Sequence, residues 1–169
     1  MEPLLLERAA SVLDAVAFDL VLAGIYDFGD GAAEAKVLRA VSRRTLREGR
    51  LFAPISARSL CTPKGKMPPL RLSEPRVRYA IRRLVSFGLL IKLRFDRGEG
   101  AMLALHLPKI ARDLLTHFLG TWELDNIPPE AVETQALADL IVLAYNIEPH
   151  WEVFFTAEAL AGLGLSEYA

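Results

Sequence analysis

The stretch SEPRVRYAIRRLVSFGLLIKLRF, residues 73–95, decides the fold. It opens on Ser73, a helix-capping residue, with Pro75 suited to a first turn. At about 100° per residue, Val77, Ala80, Ile81 and Leu84 share one face. Tyr79, Arg82, Arg83 and Ser86 occupy the other, flanked by Arg76 and Arg78. Gly88 stands where a left-handed C-terminal cap is expected. The period then changes to alternation, with Ile91, Leu93 and Phe95 on one side and Lys92 and Arg94 on the other. The stretch therefore predicts a short basic helix running directly into a strand. Taken alone, its arginine face fits a solvated surface as well as it fits a contact surface.

Working outward, DRGEG (96–100) reads as a hairpin loop, and AMLALHL (101–107) as a returning strand with Leu103, Leu105 and Leu107 in register. On the other side, TPKGKMPPLRL (62–72) holds three prolines and a glycine in 11 residues, which excludes regular structure. ISARSLC (55–61) reads as a short helix capped by Ser56. Residues 32–48 predict a helix with Ala33, Val37, Ala40, Val41 and Leu46 inside, and Arg39, Arg43, Arg44 and Arg47 mostly outside. Gly49 ends it. Residues 3–26 predict one long helix with Leu6, Ala9, Leu13, Ala17, Leu20 and Gly24 along its stripe, stopped by DFGDG (27–31). Downstream, Pro108 begins a helix that Gly120 ends, and WELDNIPP links it to a helix over 130–146. The LADLIVLAY half of that helix is apolar nearly all round, which predicts burial in the core or against a second subunit. The tail carries Trp151, Phe154 and Phe155, then a short helix capped by Thr156.

The net charge of −1 conceals a strong segregation. Between Lys36 and Arg97 lie 17 of the 20 Lys and Arg, against three acids, Glu48, Glu74 and Asp96. The remainder holds three basic residues, Arg8, Lys109 and Arg112, against 18 acids. Such a distribution predicts a polyanion partner, nucleic acid first. The alternative is that the acidic parts neutralise the basic part, within or between chains.

The order helix, short helix, basic helix, Gly, hairpin resembles the winged helix-turn-helix over roughly residues 32–107. Leu84, Gly88, Leu89 and Leu90 match its passage from recognition helix to first wing strand. The long basic loop 62–72 departs from the tight turn of compact members. The resemblance implies a mainly α fold with a small β-hairpin, a winged helix-turn-helix core (31–107) between an N-terminal helix (1–30) and an acidic helical extension (108–169). It also implies a sequence-specific double-stranded DNA-binding protein, most simply a transcriptional regulator working as a homodimer on two half-sites. Arg76, Arg78, Tyr79 and Arg82 then face base edges, and Arg83 and Ser86 touch phosphate. Lys64, Lys66 and Arg71 follow the backbone from the loop, and Lys92, Arg94 and Arg97 from the wing. A replication or maintenance initiator of a plasmid, phage or integrating element has the same pattern. So does a winged-helix interaction module, an inhibitor or complex subunit, docking on an acidic partner.

Other chemistry finds little support in the residues. DFG (27–29) lacks the Gly-rich loop and catalytic loop of a kinase. Asp27, Asp30 and Gly31 lack the spacing and terminal Glu of a calcium loop. His106, His117 and His150 are dispersed, and Cys61 is alone, so no disulfide framework or cysteine zinc site is expected. The sequence thus predicts a non-enzyme without cofactor. No run nears the roughly 18 apolar residues of a membrane span, and the acidic opening is unlike a signal peptide. The expected location is cytoplasmic. No effector pocket is legible.

Overall fold

The computed structural model describes residues 2–29, 33–62, 69–95 and 100–167. Where spacing predicts one N-terminal helix, two occur: α1 (Pro3–Ala15) and α2 (Phe18–Ile25). They break at Ala17, whose backbone is left-handed (φ 50°). The break turns the second half inward, so that Phe18 and Leu22 are fully buried while Leu20 is 63% exposed. A left-handed alanine costs roughly 1–2 kcal/mol. Burying a Phe and a Leu contributes roughly 1.5–3 kcal/mol each, which outweighs that strain.

Helix α3 (Ala33–Arg44) is shorter than its pattern predicts, and a 3-10 turn over Leu46–Glu48 replaces its last stretch. Arg44, expected outside, is buried, and burial lowers its pKa against the raising effect of Glu48. Gly49 closes the turn with φ 69°, and a Cβ there would lie 2.8 Å from Pro3 Cβ. The start of α1 therefore packs directly on this glycine.

Strand β1 (Phe52–Pro54) leads to α4 (Ala57–Leu60), capped by Ser56, whose side chain accepts from Ser59 N at 3.0 Å. Helix α5 (Glu74–Ser86) follows, then β2 (Leu90–Phe95) and β3 (Ala101–Leu105). Next come α6 (Leu107–Leu119), α7 (Gln135–Phe154), α8 (Ala157–Gly162) and β4 (Leu165–Glu167). The described residues thus form a mainly helical protein with a small antiparallel sheet in the order β1-β3-β2-β4. The sequence pattern predicts only the central pair. The two outer strands are three residues each, too short to show a period, and Pro54 sits on an edge, where a missing N–H is tolerated.

The sheet has two covered faces. Leu90, Leu103 and Leu105 join a main core that runs from Leu6 through α3 and α5 to Trp151. On the opposite face, Leu93 packs with Leu160 and Leu165, and Ile91, Phe95 and Met102 lie against them. Helix α7 begins at Gln135, with Thr134 as its cap, and continues through Pro149 to take in Trp151 and Phe154. It starts and ends later than 130–146. Of LADLIVLAY, Leu140, Leu143 and Ala144 are buried, whereas Val142 and Tyr145 are more than half exposed.

His106 caps α6: its Nδ1 accepts from Lys109 N at 3.2 Å, while its ring lies against Trp151. Burial lowers its pKa, and Lys109 and Arg112 lower it further. A base with a depressed folded pKa contributes stability that is present above its unfolded value, about 6.5, and lost as pH falls through the folded value. Urea midpoints should therefore drop between pH 7.5 and 5.5. In His106→Asn, which keeps an acceptor at the cap, that drop should shrink; an unchanged pH profile would remove His106 as its source.

Candidate nucleic-acid interface

Helix α5 is held at both ends by local chemistry. Ser73 Oγ accepts from Arg76 N at 3.4 Å. At the other end Gly88 has φ 75°, and a Cβ there would come within 3.2 Å of Lys109 Cδ. Leu89 N then donates to Leu84 O, and His106 N to Leu89 O, so the helix exit is tied to the start of α6. Val77, Ala80, Ile81 and Leu84 are buried as their spacing predicts. Arg76, Arg78, Tyr79, Arg82 and Ser86 are exposed.

The two flanks of that exposed face differ. On one, Arg83 Nη1 donates to Glu34 Oε1 at 2.9 Å, and the Glu34 side chain is only 6% exposed. The Arg83 guanidinium also lies 5.4 to 5.9 Å from the ring centres of Phe28, Phe87 and Tyr79. Phe28 and Phe87 pack with Tyr26, whose hydroxyl donates to Asp113 at 2.5 Å. Burial and that hydrogen bond raise the Tyr26 pKa, and the Tyr26 contact raises that of Lys109, which stands 3.5 Å from Asp113. Arg83 therefore serves the packing of α5. Ser86 Oγ donates to Arg83 O at 2.7 Å, so its hydroxyl is turned back onto its own helix.

On the other flank, α5 meets α4 and the β2–β3 hairpin around a cleft of about 360 Å³. Arg58, Arg78, Arg82 and Lys92 line it, with Glu74 as the carboxylate among its lining residues. Glu74 pairs with Arg78 at 2.8 Å. Among the described residues the Arg82 guanidinium has no hydrogen bond or ion pair. Lys92 reaches the cleft because it pairs across the sheet with Leu103, on the helix-facing side. Arg94 is exposed but its Nε donates to Ser166 Oγ at 3.0 Å, tying it to β4. Arg71 is exposed before the start of α5. Lys64, Lys66 and Arg97 lie outside the described residues.

Sequence reasoning misses Arg58, the one charged residue of α4, and the role of Glu34. It also misses a smaller basic concavity of about 180 Å³, where Lys36, Arg39, Arg43 and Arg44 meet Leu60 and Leu70. Their 3–4 spacing along α3 is the signal available for this second group. Among the described residues, Arg47 with Asp14 and Arg83 with Glu34 cross the charge boundary, and Arg50 pairs with Glu48 inside the basic stretch. Neutralisation within the chain is thus real and partial. Among the described residues, no three His, Cys, Asp or Glu side chains are grouped to hold a metal, and no helix is long and apolar enough to cross a membrane. No protein family, curated protein or solved structure matches this chain.

The asymmetry between flanks gives a direct test. Arg83→Ala leaves a buried carboxylate without its cation, and the part-exposed pair should cost about 2–3 kcal/mol by urea denaturation. Arg82→Ala, on the open face of the same helix, should change stability by less than about 0.5 kcal/mol. Equal losses would mean that Arg83 is not a packing residue.

Proposed function

We propose that this chain is a sequence-specific double-stranded DNA-binding protein, most simply a transcriptional regulator, built on a winged helix. One observation carries the reading: α5 presents Arg78 and Arg82 on an open face beside a hairpin and a cationic cleft. The element order α3, α4, α5, Gly88, β2–β3 is the order on which the resemblance rests. A helix fits the major groove, and an arginine pairs bidentately with guanine O6 and N7. In this reading Arg76, Arg78, Tyr79 and Arg82 meet base edges. Lys92, Arg58 and the α3 cations Lys36 and Arg39 contact phosphates, which position the helix without reading sequence.

The reading extends to a homodimer that seats α1 and α7 on a second copy of this chain. Leu5, Val12, Val142 and Leu143 line a groove of about 370 Å³ between these helices, with Arg8 and Asp139 also in its lining. A two-fold arrangement sets Arg8 beside the partner's Asp139 twice, which makes the surface complementary to itself. Val142, at 55% exposure, supplies apolar area for that contact.

Selection of genomic fragments should enrich a defined set for the wild type and lose it for Arg78→Ala/Arg82→Ala. Affinity should fall by orders of magnitude between roughly 50 and 200 mM salt. No enrichment over random DNA would overturn the regulator reading, and duplex binding without salt dependence would overturn the phosphate contacts. Sedimentation should find a dimer that Val142→Asp converts to monomer with unchanged helix content. A wild-type monomer at tens of micromolar would remove the α1–α7 interface.

A further inference from the structure

The cleft between α4, α5 and the hairpin is larger and more apolar than a contact for a duplex backbone requires. At about 360 Å³ it has the size of a small-molecule site, and one phosphate group alone would leave most of it empty. Ile55, Ile81 and Leu103 contribute buried apolar side chains to its lining. The cationic side chains come from three different elements: Arg58 from α4, Arg78 and Arg82 from α5, and Lys92 from β2. Among the described lining residues the carboxylate is Glu74, which pairs with Arg78. An apolar floor under a cationic rim suits a ligand with an anionic end and a flat, weakly polar body. Guanidinium groups bind phosphate oxygens through paired hydrogen bonds and also stack on planar rings.

We propose that this cleft binds a single nucleotide, its phosphate held by Arg58 and Arg82 and its base laid on Ile55, Ile81 and Leu103. A free nucleotide and an unpaired nucleotide at a strand end present the same chemistry. Because Arg82 also belongs to the proposed duplex-reading face, an occupied cleft and a bound duplex compete for it. The ligand would therefore act on DNA binding directly, without a conformational relay. Nucleotide binding itself does not require the duplex reading to hold.

The test is a titration of the full chain with fluorescent adenosine 5′-monophosphate, alongside ribose 5-phosphate and inorganic phosphate as competitors. One site is expected, with ribose 5-phosphate and phosphate at least about tenfold weaker because neither has a base to cover the floor. Arg58→Ala, at an exposed position of α4, should weaken nucleotide binding by about tenfold through loss of a charge-assisted contact. Equal displacement by ribose 5-phosphate, or an unchanged affinity in Arg58→Ala, overturns the proposal. A four-nucleotide single strand that displaces the probe assigns the site to strand ends, and failure to displace assigns it to a free nucleotide. Duplex affinity is measured separately without nucleotide. Loss of either binding with the other intact shows which of the two readings has failed.

Discussion

A carboxylate buried on α3 sets the position of the basic helix. Glu34 is almost wholly removed from water, and a lone buried charge is expensive enough that some cation must meet it. Arg83 of α5 is that cation, and three aromatic rings hold its guanidinium in place. The pair holds the roll of α5 about its own axis together with the buried stripe of Val77, Ala80, Ile81 and Leu84. Once that flank is committed, the opposite flank, with Arg78 and Arg82, necessarily turns towards α4 and the hairpin. The Tyr26–Asp113–Lys109 contacts carry the same constraint on to α6, whose first turn also packs against Gly88.

The charge segregation then divides into two kinds of cation. Arg47, Arg50 and Arg83 are answered by acids of the chain and belong to the fold. Arg58, Arg82, Lys36 and Arg39 line concavities in which, among the described residues, cations outnumber acids. Like charges gathered in a concave surface repel one another and focus a positive potential outward. The fold bears that repulsion locally, while Glu148 of α7 pairs with Arg112 instead.

Strong periodicity was the part of the structure that could be read directly. Helix α5, its cap at Ser73, the glycine exit and the β2–β3 pair follow from Val77, Ala80, Ile81 and Leu84 and from the alternation after Gly88. The break at Ala17 was not legible, since no proline or glycine marks it; tertiary burial of Phe18 and Leu22 overrides a locally continuous helical pattern. The outer strands carry too few residues to declare themselves. Within the site, the pattern separates inward from outward residues but cannot tell Arg83 from Arg82, one position away. That distinction depends on Glu34, 49 residues earlier in the chain.

The pairing of β4 with β2 has a further bearing on how the chain reaches this state. Leu93, Arg94 and Phe95 form their outer ladder with Leu165, Ser166 and Glu167, whereas their inner partner β3 follows within a few residues. During synthesis the hairpin can therefore close early, while its outer edge stays open for some 70 residues of further translation. At roughly 5–20 residues per second that is a window of several seconds. An open, largely apolar strand edge is a template for pairing between nascent chains. The last short strand, too small to add much stability, closes the route by which neighbouring copies would join edge to edge.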